Sequence, residues 1–149
     1  MKILVINGPN LNLLGTREPD IYGSLTYDGL CSDLVEFGKT LDVEISTFQS
    51  NIEGELVDEI QKTGFSFDGI IINPAAYTHT SVAIGDAIAA ITTPVIEIHI
   101  SNIFSREEFR KFSYVSAKSV GVISGLGMKG YELAVNYFID GKLQFSDKI

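Results

Sequence analysis

The chain contains two histidines, His79 and His99, and each lies at or just beyond the end of a short apolar run. The run Val95–Ile100 reads as a strand, whose side chains alternate between faces. Glu97, His99 and Ser101 therefore share one face, and Ile96, Ile98 and Ile100 the other. A carboxylate beside an imidazole can orient the ring and favour its proton-carrying form, which is equipment for general acid–base catalysis. The same pair would also serve as a structural ion pair, but a polar trio on an otherwise apolar strand favours function. Asn10 follows the apolar run Ile3–Ile6, and Asn73 follows Gly69–Ile72, with His79 a few residues beyond it. The stretch from Asn7 to Leu25 is about nineteen residues without helical or strand period, against about 2–6 for the usual link. It carries Arg17, Glu18, Asp20 and Tyr22, with Gly15 and Gly23 as candidate hinges. Such a segment is either a surface connection or a lid that brings in reactive side chains. Leu11, Leu13 and Leu14 argue that its first part is anchored.

Other chemistries are poorly served. Gly125-Leu126-Gly127-Met128-Lys129-Gly130 matches G-x-G-x-x-G between an expected strand and helix, as in a dinucleotide site. That site needs a further strand with an acidic residue about 20 positions on. Only nineteen residues follow Gly130, and a helix takes about half of them, so the glycines are read as packing the last helix close to the sheet. The motifs G-x-x-x-x-G-K-[ST] and H-E-x-x-H are absent, and the single cysteine, Cys31, excludes an intrachain disulfide or a thiolate cluster and fits a reducing compartment. The net charge of −8 repels nucleic acid and anionic membranes, leaving both as unlikely partners. The apolar run after Lys2 is too short for a signal segment or a membrane span. These features lead to the expectation of a cytoplasmic protein of one domain, residues 1–149.

The elements that must position these residues are visible as a pattern. Hydrophobic residues form 45% of 149, enough to bury a core. Ile3–Ile6, Val43–Phe48, Gly69–Ile72, Val95–Ile100 and Val120–Ile123 read as strands, being mostly β-branched and bounded by Gly, Pro or Asn. Between them Leu30, Leu34, Phe37 and Leu41 recur at helical spacing, as do Ile52, Leu56, Val57 and Ile60 before a stop at Gly64. Thr80–Ile91 and Tyr131–Ile139 read as further helices, and Ser105-Arg106-Glu107-Glu108 as a capping box opening a short one. Alternating strands and helices, with strands apolar on both faces, predict an α/β three-layer sandwich around a parallel sheet. Five strands suggest the flavodoxin-like order 2-1-3-4-5. In such sheets ligands bind beyond the carboxyl ends of the strands, where both histidines, Asn10, Asn73 and Ser101 fall.

Asn7-Gly8-Pro9-Asn10-Leu11-Asn12-Leu13-Leu14-Gly15, Arg17-Glu18-Pro19 and Tyr22-Gly23 resemble the opening of the type II 3-dehydroquinate dehydratases. So do Asn73-Pro74-Ala75-Ala76-Tyr77-Thr78-His79-Thr80-Ser81, Glu97-Ile98-His99-Ile100-Ser101-Asn102, Arg106-Glu107-Glu108-Phe109-Arg110 and the Gly125–Gly130 turn with Tyr131. The resemblance runs from Ile3 to about Phe138 with its motifs in order. It implies a flavodoxin-like fold and a lyase that dehydrates 3-dehydroquinate to 3-dehydroshikimate without metal or organic cofactor. It also implies a homododecamer built from trimers. It implies that Asn10 holds a water against the enolate oxygen and that His99 protonates the leaving hydroxyl, oriented by Glu97. Ile100 and Ser101 would offer backbone N–H groups to the substrate carboxylate, and Asn73, His79 and Arg110 would hold ring hydroxyls. Asp86 would reach the substrate of a neighbouring subunit. Two positions depart from the pattern: Ala75 stands where glycine is common, and Gly85 where many members have arginine.

The residues suit that reaction. Elimination of water from a β-hydroxy ketone needs a base for the α-proton, a stabiliser for the enolate and an acid for the departing hydroxyl. A tyrosine with pKa about 10 is a poor base near neutrality, but a guanidinium close by favours the phenolate. Tyr22 is therefore assigned as base, with Arg17 as its activator and a stabiliser of the transition state. The alternative chemistry for this substrate, a lysine Schiff base, needs a desolvated lysine, and every lysine lies outside the central apolar stretches. A flavin-binding redox module would share the fold but needs a Ser/Thr-rich phosphate loop after the first strand, where Asn, Pro and Leu stand. A non-catalytic binding domain would tolerate loss of Tyr22.

Overall fold

Residues 1–16 and 25–141 are described in a computed structural model of the chain. Five parallel strands, β1 (Lys2–Asn7), β2 (Glu44–Gln49), β3 (Gly69–Asn73), β4 (Val95–His99) and β5 (Gly121–Ser124), form one sheet in the order β2-β1-β3-β4-β5. This is the flavodoxin-like order expected from the sequence. Four α-helices fill the first three intervals between strands and follow the last strand: α1 (Tyr27–Thr40), α2 (Glu53–Thr63), α3 (Val82–Ala89) and α4 (Lys129–Gly141). None of the described helices is long and apolar enough to cross a membrane.

Strand alternation divides the interior into two cores. Ile3, Val5, Ile71, Ile96 and Ile98 face α1 and α4, meeting Leu30, Leu34, Ala134, Val135 and Phe138. Leu4, Ile6, Ile70 and Ile72 face α2 and α3, meeting Leu56, Ile60, Ile84 and Ile88. Burying a large apolar side chain contributes about 1.5–3 kcal/mol, so two such faces hold the sheet as the rigid middle layer. Crossovers bring all five strand ends to one edge, and register places Asn7 beside Asn73 and His99 beside Ser124.

The helix boundaries show which local signals won. Thr26 caps α1, its hydroxyl accepting the Gly29 N–H at 3.1 Å, and the helix ends at Thr40, so Leu41 lies beyond it and is exposed. Ile52 likewise precedes α2 and is exposed. α2 does stop at Gly64, but for a packing reason: its backbone is right-handed, and a Cβ there would lie 2.2 Å from Ile91 Cγ2. The helix expected from Thr80 begins at Val82, with the Ser81 hydroxyl accepting the Ile84 N–H at 2.9 Å; Ala75–His79 instead makes a 3-10 turn.

Two expectations are corrected. Ser105 opens no capped helix: its hydroxyl donates back to the Asn102 carbonyl at 2.8 Å, Arg106 is extended, and the segment forms separate 3-10 turns, Ile103–Ser105 and Glu108–Lys111. The segment after Asn7 is not irregular throughout, because Leu11–Leu13 forms a 3-10 turn. Leu11 and Leu14 anchor it as expected, whereas Leu13 is exposed. Arg17, Glu18, Asp20, Tyr22 and Gly23 lie outside the described residues. In the glycine-rich turn before α4, Gly125 and Gly127 adopt φ of +89° and +61°, a conformation that favours glycine, and Gly130 packs its backbone against Ile123 and Ile98.

Candidate active site

The carboxyl edge of the sheet holds a cleft lined by Asn10 and Leu11 after β1, Asn73 and His79 at and after β3, and His99, Ile100, Ser101, Arg106 and Arg110 at and after β4. The structure thus brings together Asn10, Asn73, His79, His99, Ile100, Ser101 and Arg110. Glu97 lies directly beneath, fully buried. Asp86 is separate: it sits exposed on α3 and does not line the cleft of its own chain. Gly85, beside it, approaches the Tyr114 carbonyl so closely that a Cβ would lie 2.7 Å away. An arginine at that position would require the backbone around Tyr114 to move.

Glu97 and His99 share a face of β4, as strand parity dictates, and His99 Nε2 lies 2.7 Å from Glu97 Oε1. An ionised carboxylate only accepts, so Nε2 carries the proton and Nδ1 is the nitrogen left to exchange one. Glu97 also accepts from Thr78, Ser116 and Ser113, the last at 3.1 and 3.2 Å to its two oxygens. Burial pushes this carboxyl up, but hydrogen bonds from His99, Ser116 and Thr78 outweigh it and hold the pKa below the ordinary glutamate value. A negative charge is thereby kept directly under the imidazole of His99.

His79 stands over His99 with ring centroids 6.4 Å apart and planes inclined by 15°. Its Nδ1–H donates to the Phe112 carbonyl at 2.7 Å, which leaves Nε2 as the acceptor of a neutral ring. Burial pushes its pKa down, and the neighbouring His99 and Arg110 push it further, against the Phe112 carbonyl and Glu97. Arg110 is held by Glu107 at 2.8 Å and lies 5.1 Å from the centre of the Phe109 ring. Arg106 reaches the Ser101 hydroxyl at 3.3 Å. Two guanidinium groups at the cleft suit an anion, although the chain is acidic overall.

The backbone around the cleft is tied down. The His99 and Ile100 carbonyls accept the N–H groups of Gly125 and Gly127 at 3.1 and 3.0 Å. Asn10 has φ of +68°, and its N–H donates to Asn51 Oδ1 at 2.9 Å, while Gln49 Nε2 reaches both Asn51 Oδ1 and the Gly8 carbonyl at 3.2 Å. Among the described residues no group of three or more His, Cys, Asp or Glu side chains could hold a metal ion.

Arg106, Thr78, Ser113 and Ser116 are site residues that the sequence reading did not select. Arg106 and Thr78 sit inside motifs already singled out, Thr78 next to His79 and Arg106 opening the motif that Arg110 closes. Ser113 and Ser116 come from a segment without period, and no local signal marks them.

The family model "Dehydroquinase class II" matches residues 1–139. A 3-dehydroquinate dehydratase of Polynucleobacter asymbioticus is 59% identical over 134 residues, covering 89% of this chain and 90% of the relative. That of Geotalea daltonii is 56% identical over 135 residues, covering 91% and 94%. The crystal structure of the type II dehydroquinase from Butyrivibrio crossotus superimposes with a TM-score of 0.91 at 49% identity, covering 93% of this chain and 97% of that one. A match over nearly the whole chain, at identities above one half to curated relatives and with a closely superimposing solved structure, leaves one assignment: the chain belongs to the class II dehydroquinase family.

Proposed function

We propose that this chain is a lyase that dehydrates 3-dehydroquinate to 3-dehydroshikimate. The observation that carries the reading is the buried Glu97–His99 pair beneath a cleft furnished with Asn10, Asn73 and two arginines. Tyr22, as phenolate, takes the proton α to the ketone, and Arg17 favours that ionised form. The electrons move to the ketone oxygen, where Asn10 holds a water against the enolate. The enolate then expels the β-hydroxyl, to which a protonated His99 gives the proton from Nδ1. Water and a conjugated enone result, leaving Tyr22 as phenol and His99 neutral, and solvent exchange restores both. Throughout, Glu97 keeps the ring in one orientation and balances its positive charge.

Substrate is held by Ile100 and Ser101 N–H groups at its carboxylate and by Asn73, His79 and Arg110 at its ring hydroxyls. No metal or organic cofactor takes part. One domain, residues 1–149, forms the catalytic unit. Asp86, remote from its own cleft, completes that of a neighbour in trimers that assemble into a homododecamer. Exposed Phe104, Phe109 and Phe112 supply apolar surface for such contacts. The reaction would serve the shikimate pathway and aromatic amino-acid biosynthesis, or quinate breakdown, in the cytoplasm.

The direct test is ultraviolet absorbance. Incubation with 3-dehydroquinate is expected to generate the absorbance of a conjugated enone carboxylate, with no covalent adduct after borohydride treatment. Absence of the new absorbance, or a trapped adduct, would refute the mechanism.

A further inference from the structure

Tyr131 opens the inner face of α4 and is wholly buried, yet none of the steps above uses it. Burial, against a smaller pull from Asn73, pushes its phenol well above the ordinary value, so it remains a hydrogen-bond donor. That donor reaches Asn7 Oδ1 at 2.6 Å. With its single proton committed there, the phenol oxygen can only accept from Asn73, whose Nδ2 lies 3.2 Å away. The other end of the Asn73 amide is also occupied, because Oδ1 accepts the Ala75 N–H at 3.2 Å.

Asn7 and Asn73 are register partners on adjacent strands, so their side chains rise side by side from the same face. Asn7 Nδ2 is buried and has no partner among the described residues. The polarity therefore runs one way, from Asn73 through Tyr131 to Asn7. It sets the Asn73 amide with nitrogen toward Tyr131 and oxygen toward Ala75. One N–H remains on the amide of a residue that lines the cleft.

We infer that Tyr131, backed by Asn7, is a positioning residue that orients the Asn73 amide, so that Asn73 meets the substrate as a hydrogen-bond donor and selects an oxygen acceptor at that point. The inference rests on the reading of this cleft as the 3-dehydroquinate site.

Tyr131→Phe removes a single oxygen. In the full-length enzyme, KM for 3-dehydroquinate is expected to rise about tenfold while kcat stays within about twofold, the signature of binding lost equally from substrate and transition state. In an Asn73→Ala background the same change is expected to leave KM unmoved. The side-chain amide signals of Asn73, followed by nitrogen–proton NMR without substrate, are expected to shift in Tyr131→Phe. A variant that loses stability alone, with KM and the Asn73 signals unchanged, would overturn the inference, as would additive effects on KM in the double variant. Should Tyr131→Phe not fold, Asn7→Ala frees the phenol to turn and carries the same two expectations; unchanged KM and signals there would be equally fatal. If the wild-type protein shows no dehydratase activity, the functional reading falls, and the Asn73 signals still decide whether the relay sets the amide.

Discussion

A carboxylate with no exposure to solvent is costly unless its charge is met by donors, and Glu97 meets that condition with His99, Thr78, Ser113 and Ser116. Its folded pKa lies below the ordinary value, so its ionised form is favoured more in the folded protein than in the unfolded chain. It therefore contributes stability that is fully present above the unfolded value of about 4.3 and is lost as pH falls through the folded value. Urea midpoints of the wild type and Glu97→Gln are expected to differ most near neutrality and to converge as pH drops below about 4. A gap that stays constant over that range would mean that Glu97 is not charged in the fold. The chemistry is tested one atom further out. Tyr22→Phe, Arg17→Gln and His99→Ala are each expected to lower kcat by about a hundredfold or more, with circular dichroism unchanged. Near-normal turnover in folded Tyr22→Phe would remove the proposed base.

Elements differ in how openly the sequence declares them, and the reason is the range of the interactions involved. The five strands are legible because β-branched runs bounded by Gly, Pro and Asn are local, and the parity of β4 alone pairs Glu97 with His99. Helix ends depend on single hydroxyls: Thr26 and Ser81 cap their helices, whereas Ser105 spends its hydroxyl on Asn102. The support of the site is least legible, since Tyr131 and Asn7 are 124 positions apart and meet only once the sheet and α4 have docked. Ala75 shows the same interplay of local and distant forces. It stands where the resemblance leads one to expect glycine, and its φ of +52° is a conformation that a Cβ makes unfavourable. Asn73 Oδ1 holds the strained residue through its N–H. Ala75→Gly is expected to raise stability by about 1 kcal/mol, the lower end of the strain released, read as a higher urea midpoint with an unchanged slope. An unchanged or lower midpoint would show that the turn carries no such strain.

At the scale of the molecule, the topology explains why residues from distant parts of the sequence converge, since parallel strands joined by crossover connections deliver every carboxyl end to one edge. A net charge of −8 sets the surroundings against an anionic substrate, and the arginines of the cleft oppose it locally. Asp86 is the one proposed binding residue that the topology does not bring to that edge; it projects from α3. If it acts, it must act on another copy, and head-to-tail contact closing into a ring would supply each cleft with the Asp86 of a neighbour. This can be tested by mixing two defective proteins. Asp86→Ala alone is expected to raise KM, and His99→Ala alone to abolish turnover. Unfolding them together and refolding them as mixed trimers should place an intact His99 beside a neighbour's intact Asp86 in about one site in four, by random assortment around the ring. At substrate concentrations below the KM of Asp86→Ala, the mixture is expected to exceed the summed activity of the two proteins refolded separately. Activity no greater than that sum, in a mixture whose size on a sizing column shows that the subunits have reassembled, would place Asp86 outside the neighbouring site and return it to the surface of its own chain.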